Sequence, residues 1–241
     1  MKTKIAIFFL LGIFVYMNIN AQVKPKLLES IMGKKKPDPS KLPEMYEFQW
    51  EFKTVLKSAD NEEMNMDYLI HSDSVYFGMQ LGSKEYKDMD FMCIVTDPRI
   101  ETSATFMSSK NQKMAMLSKL PDEGSKKEEE EKMSFKEIGT KEILGYLCYG
   151  IEVENADYKG TMYFTLDAPV SFSAIFAYSQ KETPKGFDPA LMQVLKEEAL
   201  LMEMNFENKK KKKQSFTMTA ESLEKKETVI NTGEYQVMSG F

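Results

Sequence analysis

Residues 45–56 read MYEFQWEFKTVL, an alternation of large apolar and polar side chains. Every second residue from Tyr46 to Phe52 is aromatic, and the residues between them are Glu47, Gln49 and Glu51. A period of two is typical of a β-strand that buries one face. This segment therefore predicts an antiparallel strand, and it places the start of the folded domain near Met45.

The same alternation recurs along the chain. Residues 64–70 and 75–81 repeat it, and turn-forming residues lie at 58–61 and 72–74. Further strands are predicted at residues 90–96, 99–107, 113–117, near 135, and at 146–154, 161–166, 171–178, 215–223 and 234–238. Because strands do not alternate with helices over this region, the pattern favours an antiparallel meander over a parallel sheet.

One segment, from Asp188 to Phe206, is predicted to be helical. Asp188 and Pro189 suit the first positions of a helix. Apolar residues then recur at helical spacing, at Leu191, Val194, Leu195, Ala199, Leu201, Met202 and Phe206. We therefore expect an α+β fold, in which one long helix packs on the concave face of a curved antiparallel β-sheet.

The N-terminus has the pattern of a secretory signal peptide. Lys2 and Lys4 precede an apolar run over residues 5–15, and the small Ala21 precedes Gln22. The run is shorter than the roughly 20 apolar residues of a membrane span, so an uncleaved anchor helix is the less favoured alternative. No cysteine lies near Ala21 to accept a lipid, so there is no lipobox. We expect a periplasmic or secreted protein.

These features predict three segments. Residues 1–21 form the signal peptide, 22–44 a Pro/Lys-rich tether, and 45–241 a single β-rich domain. Proline within 37–43 disfavours both helix and sheet in the tether.

Charge and composition exclude several classes of function. The 241 residues contain 32 basic and 37 acidic side chains, a net charge of −5, which does not favour a nucleic-acid partner. Only one histidine, His71, is present, and the chain has no glycine-rich phosphate loop, HExxH or CxxC motif. We therefore expect no cofactor and no metal, and single out no catalytic residue. An enzyme is the least favoured class.

Two cysteines leave two alternatives open. An exported protein can form a disulfide, and Cys93 and Cys148 can pair in only one way. Free cysteines are also often buried, so two separate buried thiols are the other interpretation.

Residues 140–148 read TKEILGYLC. This segment resembles the lysine–isoleucine–glycine–tyrosine–cysteine core of domain of unknown function family 4412. The apolar segment 91–97, the methionine-rich hairpin after it and the aromatic opening strand resemble that family too. The resemblance covers most of residues 46–241. It implies a fold similar to the half-barrel of periplasmic lipoprotein carriers, and it transfers no catalytic residues.

Nineteen methionines are unusual for a chain of this length. Met64 with Met66, and Met114 with Met116, place paired thioethers on one face of a predicted strand. Thioethers select Cu(I), but methionine also fills irregular apolar space. We favour a pliable cavity wall, because no clustered histidine or cysteine accompanies the methionines.

An aromatic and methionine-rich sheet face predicts a binding site for a hydrophobic, lipid-like ligand, with the helix as its lid. The candidate ligand-binding residues are Phe48, Trp50, Phe52, Met64, Met66, Tyr68, Phe77, Met79, Leu195, Glu198 and Met202. The function we expect is non-catalytic binding or carriage of such a molecule in the cell envelope. The alternative is a structural or protein-interaction module with a filled core, whose protein partner the sequence does not identify.

Five adjacent lysines, Lys209, Lys210, Lys211, Lys212 and Lys213, are a candidate membrane-surface segment. Such a run attracts anionic head groups, at about 1 kcal/mol per lysine near a charged surface. A solvated loop is the simpler interpretation. Peripheral membrane contact is therefore a second expected interaction.

Overall fold

The computed structural model describes residues 37–81, 90–110, 112–120, 134–172, 194–195 and 198–239. The predicted signal peptide and most of the predicted tether lie outside these residues, so the segment boundaries at 21 and 44 stay predictions.

The described part of the chain is built from β-strands. Their bounds are β1 Met45–Ser58, β2 Glu63–Ile70, β3 Phe77–Leu81, β4 Phe91–Asp97, β5 Thr102–Ser109, β6 Gln112–Lys119, β7 Ser134–Ile143, β8 Tyr146–Glu154, β9 Tyr158–Thr165, β10 Leu200–Asn208, β11 Phe216–Asn231 and β12 Gln236–Ser239. Short 3₁₀ helices lie at Pro39–Lys41, Pro98–Ile100, Lys212–Gln214 and Thr232–Glu234.

These strands form a 12-stranded sheet in the order β12-β6-β5-β4-β3-β2-β1-β11-β10-β9-β8-β7. Pairing is antiparallel from β6 to β2 and from β11 to β7, whereas β12 pairs parallel with β6. The sheet thus contains two meanders, β2–β6 and β7–β11. The prediction of an antiparallel meander is confirmed, and most predicted strands match observed ones to within a few residues.

The prediction of one long helix is wrong. Val194 and Leu195 are helical, and the backbone N–H of Glu198 donates to the carbonyl of Val194 over 3.0 Å. From Leu200 to Asn208, however, the chain is strand β10. The described residues therefore do not form an α+β fold with one long helix on a sheet. Residues 188–193, 196 and 197 lie outside the described part.

The physical reason lies in the alternation at the end of that segment. Met202, Met204 and Phe206 are buried, and the residues between them are Glu203 and Asn205. Leucine, methionine and glutamate favour helices intrinsically, but strand pairing overrides a propensity of this size. β10 pairs with β9 on one side and β11 on the other.

The described chain divides into two compact units. The first, which we call the β2–β6 unit, comprises residues 37–53, 65–81, 90–110, 112–120 and 223–239. The second, the β7–β10 unit, comprises residues 54–64, 134–172, 194–195 and 198–222. A single domain over 45–241 stays a prediction.

The β2–β6 unit buries one face of its strands in an aromatic core. Tyr46, Phe48, Tyr76 and Phe106 are almost inaccessible and contact one another edge-on, with ring centroids 5.1–6.0 Å apart. The rest of this core is Leu69, Cys93, Val95, Ala104, Ala115, Leu117 and Ile230. Full burial of one large apolar side chain contributes about 1.5–3 kcal/mol.

The β7–β10 unit has an amphipathic sheet. One face carries the core row Ile151, Met162, Met204 and Met218, which are directly opposed across neighbouring strands. Leu195 and Ala199 pack in the same core. The other face carries ion pairs of Lys141 with Glu203 at 2.6 Å and Lys159 with Glu152 at 2.9 Å.

Candidate functional site

The register of β2 to β6 places methionines on the face opposite the aromatic core. Met92 is opposed by Met107, and Met107 in turn by Met114. Since successive residues of a strand point to opposite faces, the partners of these residues can be assigned to the same face. We call it the methionine face, and we use the name for Met66, Tyr68, Ile70, Phe77, Met79, Met92, Ile94, Thr105, Met107, Met114, Met116 and Met238. The same register places the polar residues Thr96, Ser103, Ser118 and Gln236 at the margins of this face.

A continuous cross-strand row runs along this face. Tyr68 opposes Met79, which opposes Ile94, which opposes Thr105. Thr105 opposes Met116, and Met116 opposes Met238 of β12. Directly opposed side chains of antiparallel strands lie about 4.5–5.5 Å apart at Cβ, so neighbours in the row from Tyr68 to Met116 are close enough to interact. The row therefore spans six strands with one hydroxyl and otherwise apolar or aromatic side chains.

Burial changes along the methionine face. On β2 and β3, Met66, Tyr68, Phe77 and Met79 are 1–7% exposed. On β4, β5, β6 and β12, the members Met92, Ile94, Thr105, Met107, Met114, Met116 and Met238 are only half-buried. The burial of Tyr68 raises the pKa of its phenol well above the ordinary value. The face thus has a buried aromatic end and a half-exposed thioether end.

The alternation of β1 shifts between Phe48 and Phe52. Phe48 lies on the core side, because its Cζ is 3.2 Å from where a Cβ at Gly78 would stand. Phe52 instead stacks on Tyr68 of the methionine face, with ring centroids 6.3 Å apart. The two phenylalanines are four residues apart and would share a face in a regular strand. Phe48 and Phe52 therefore lie on opposite faces of the sheet, and not on the one face that the sequence predicted.

The other predicted ligand-binding residues lie elsewhere. Trp50 and Met64 are half-buried, and Met64 belongs to the β7–β10 unit. Leu195 is in the core of that unit, Glu198 is exposed, and Met202 is buried at a register shift of β10. Of the predicted set, the structure brings together Phe52, Met66, Tyr68, Phe77 and Met79.

The prediction missed Met92, Ile94, Met107 and Met238. A signal was present, because Met92, Ile94 and Thr96 alternate with Cys93 and Val95. The segment 91–97 reads as uniformly apolar, so the sequence does not show which alternate set faces the core.

Both cysteines are free thiols in the structure. Cys93 lies on β4, on the core side, and its burial raises the pKa of the thiol to about 12. Cys148 lies on β8, is buried, and its Sγ is 3.5 Å from the carbonyl of Tyr146. Burial raises the pKa of this thiol too. A protonated thiol is a poor nucleophile, so neither cysteine is set up for covalent chemistry.

A buried carboxylate ends β4. Asp97 accepts hydrogen bonds from Nε and Nη2 of Arg99, at 2.9 and 2.7 Å, and from the Tyr46 hydroxyl at 3.2 Å. The guanidinium also lies 4.5 Å over the Tyr76 ring. Burial, with the nearby Asp97 charge, raises the pKa of Tyr46 far above its usual range. The carboxylate of Asp97 and the guanidinium of Arg99 are each other's partners, which is the arrangement of a structural ion pair.

The candidate membrane segment is partly used inside the protein. Lys209 Nζ contacts a Glu154 carboxylate oxygen at 2.6 Å and the Asn155 carbonyl at 2.7 Å. Lys210 pairs with the buried Asp157. Lys211, Lys212 and Lys213 are exposed. Lys209 and Lys210 are exposed as well, so all five charges lie at the surface, and those of Lys209 and Lys210 are partly neutralised by their carboxylate partners.

Ligands for a hard or borderline metal are not assembled in the described part of the chain. No group of three or more His, Cys, Asp and Glu residues there could hold a metal ion. Nδ1 of His71 accepts from the backbone N–H of Asp73 at 3.0 Å. The methionine face, by contrast, gathers several thioethers, which are soft metal ligands.

Over the same described residues, no helix has the length and apolar character needed to cross a bilayer.

Comparison with known sequences identifies one family. A family model described as "Domain of unknown function (DUF4412)" matches residues 52–232. No match is found among curated proteins.

Solved structures give weak likenesses. PNGF-II aligns with a TM-score of 0.41 and 13% identity, over 79% of this chain and 31% of that one. MucB in complex with MucA(peri) has a TM-score of 0.38 and 10% identity, over 74% and 50% of the two chains. A LolA superfamily protein from Nitrosomonas europaea has a TM-score of 0.28 and 13% identity, over 77% and 88%.

The chain spans about a third of the length of PNGF-II and half of that of MucB. Likenesses with TM-scores this low carry no argument about function.

Proposed function

The chain belongs to the DUF4412 family of unknown function, and we propose that it is an exported envelope protein that binds a hydrophobic, lipid-like molecule without catalysis. The export part of this proposal rests on the signal-peptide pattern of residues 1–21.

The observation that carries the proposal is the methionine face. Half-exposed apolar side chains lie beside one another on four strands of the β2–β6 unit and continue into the buried Met79 and Tyr68. Binding sites for small apolar molecules are lined mainly by hydrophobic and aromatic side chains with few polar groups. Methionine suits such a surface, because its unbranched chain adapts to ligands of different shape.

The face also offers a reason for selectivity. Thr105 contributes a hydroxyl in the middle of the half-exposed part, between Ile94 and Met116. An acyl chain can lie along the apolar row and hydrogen-bond its polar end to a group of this kind. We expect binding of single-chain lipids in preference to strongly charged molecules.

A second candidate function is a protein-interaction module, and a different surface favours it. Leu144, Leu147, Tyr149 and Leu166 of the β7–β10 unit are large apolar residues that are 41–45% exposed. Tyr149 lies 6.2 Å, between ring centroids, from the buried Phe164. Exposed apolar residues that adjoin a core are typical of interaction sites.

The test is a titration of the purified protein with a fluorescent fatty acid, together with native mass spectrometry of the protein as isolated. We expect saturable binding that Thr105→Lys abolishes, because a charge would stand in the centre of the apolar row. Leu147→Lys on the exposed surface of the other unit is the matched control and should bind normally. Absence of binding by the unmodified protein, or equal binding by both variants, would refute the proposal.

A further inference from the structure

We infer that five methionines at the half-exposed end of the methionine face form a Cu(I) site. We call them the thioether cluster: Met92, Met107, Met114, Met116 and Met238. This inference goes beyond lipid binding and concerns the sulfur atoms of the face rather than its apolar character.

The register brings Met107, Met114 and Met116 within reach of one ion, whereas Met92 and Met238 lie three strands apart at the two ends of the cluster, so that only one of them can complete the site at a time. Met107 has a methionine directly opposite on each side, Met92 on β4 and Met114 on β6. Met116 follows Met114 by two residues on the same face and opposes Met238. Opposed residues lie about 4.5–5.5 Å apart at Cβ, and residues two positions apart on a strand about 7 Å apart. Three rotatable bonds in each methionine allow several sulfurs to converge.

The donor set selects the metal. Soft thioether ligands favour Cu(I), whereas Zn²⁺, Mg²⁺ and Ca²⁺ require imidazole, thiolate or oxygen ligands. Among the described residues, no group of His, Cys, Asp and Glu suited to those ions is present. The other side chains in the two rows of the cluster are Tyr68, Met79, Ile94, Thr105 and Gln236, none of which is a carboxylate or an amine. Binding leaves the metal as Cu(I) and releases no proton, because a thioether carries none.

A second methionine row in the same chain provides an internal control. Met162, Met204 and Met218 also oppose one another, but they are 3–7% exposed in the core of the β7–β10 unit. The two rows have the same chemistry and differ in access. If thioethers must be half-exposed to bind the metal, an ion should reach the thioether cluster and should not reach the buried row.

The experiment is a titration of the full chain, labelled with ¹³C at the methionine methyl groups, with Ag(I) as a redox-inert probe. We expect the methyl resonances of the thioether cluster to shift and those of Met162, Met204 and Met218 to stay in place. Competition with a colorimetric Cu(I) chelator under anaerobic conditions then measures the affinity for Cu(I). The affinity should not change between pH 5 and 8.

The variants replace sulfur without removing apolar volume. The double variant Met107→Leu/Met114→Leu should bind Cu(I) at least about tenfold more weakly, because even changes behind the ligands of a metal cost about 10- to 100-fold in affinity. Met204→Leu should bind as the unmodified protein does. Should the double variant not fold, the methyl shifts of the unmodified protein decide the question alone.

Three results would overturn the inference: no methyl shift, shifts in the buried row, or an affinity that Cys93→Ala or Cys148→Ala removes. Fatty-acid binding separates this inference from the proposed function. Methyl shifts with Ag(I) in a protein that binds no fatty acid would refute the proposed function and leave this inference standing, whereas fatty-acid binding without such shifts would refute the inference alone.

Discussion

Gly150, which lies two residues after Cys148, shows how tightly single positions are packed. A Cβ at this position would lie 2.6 Å from Cε1 of Tyr163 and 2.7 Å from Cγ1 of Ile138. The glycine pairs with Tyr163 on one side and Gly139 on the other. The absence of a side chain therefore leaves room over β8 for the side chains of Tyr163 on β9 and Ile138 on β7.

Gly150→Ala should destabilise the protein by about 1–3 kcal/mol, the usual cost of overpacking. Gly233→Ala is the control, because nothing lies within 4 Å of its Cβ position. Urea denaturation of both variants measures the difference in free energy of unfolding. Equal stability of the two variants would contradict this account of Gly150.

A buried carboxylate predicts a dependence on pH. Burial opposes ionisation of Glu51, but a hydrogen bond from Lys226 at 2.7 Å and an ion pair with Lys53 at 3.3 Å outweigh it and lower the pKa of the carboxyl below its ordinary value. A group whose pKa is lower in the folded state stabilises the protein above its unfolded pKa. This contribution is lost as the pH falls below about 4.5.

Glu51→Gln should therefore cost about 1.5–3 kcal/mol at pH 7, the usual range for hydrogen bonds to charged groups, and much less at pH 3. Urea denaturation at both pH values measures the two differences. Glu227→Gln, at an exposed position, should have little effect at either pH. A cost for Glu51→Gln that does not change with pH would exclude the ion pairs as its cause.

At the level of elements, the turn of the β7–β8 hairpin contains a leucine in an unfavourable backbone conformation. Leu144 and Gly145 both have positive φ, of 54° and 80°. Two such residues form the mirror-image turn that suits a tight hairpin, and asparagine followed by glycine is its preferred sequence. A leucine in this conformation costs about 1–2 kcal/mol.

Leu144→Asn should therefore raise the free energy of unfolding by about 1 kcal/mol. Leu144 is 41% exposed, so little apolar burial is lost. Leu147→Asn is the matched control, since Leu147 is similarly exposed but lies within strand β8. Thermal denaturation should show a gain for the first variant and none for the second.

The lysines of the loop between β10 and β11 have two different roles, in membrane binding and in stability. Replacing Lys211, Lys212 and Lys213 by alanine should weaken binding to vesicles that contain phosphatidylserine, because these three are exposed whereas Lys209 and Lys210 are paired with Glu154 and Asp157. Lys209→Ala should instead reduce stability, because its Nζ contacts Glu154 and Asn155. Vesicle sedimentation at low and high salt measures the first effect. Salt-independent binding, or none by the unmodified protein, would exclude this role.

At the level of the whole molecule, the export proposal predicts a shorter chain in the cell envelope. Cleavage after Ala21 would leave Gln22 first and remove Lys2 and Lys4, which changes the net charge from −5 to −7. Intact-mass measurement of the protein from the periplasmic and secreted fractions tests this. A mass that includes residues 1–21 would contradict it.

Prediction from sequence succeeded where the pattern is local. The alternation from Tyr46 to Phe52 indicates strand β1, and residues 64–70 indicate β2. It failed for residues 200–206, where helix-favouring residues occupy a strand. The candidate site was predicted in part, because four of its residues share the methionine face, Phe52 stacks on Tyr68 of that face, and Phe48 lies on the opposite one.

The sequence by itself determined the strand-rich character of the chain and the family resemblance, because side-chain periodicity and short motifs are local properties. Only the tertiary structure decided that Met92, Met107, Met114, Met116 and Met238 share one face. Which residues meet across a sheet depends on the register of strands distant in sequence. A shift of one residue moves every side chain of a strand to the other face, so register has to come from the packing of the folded chain.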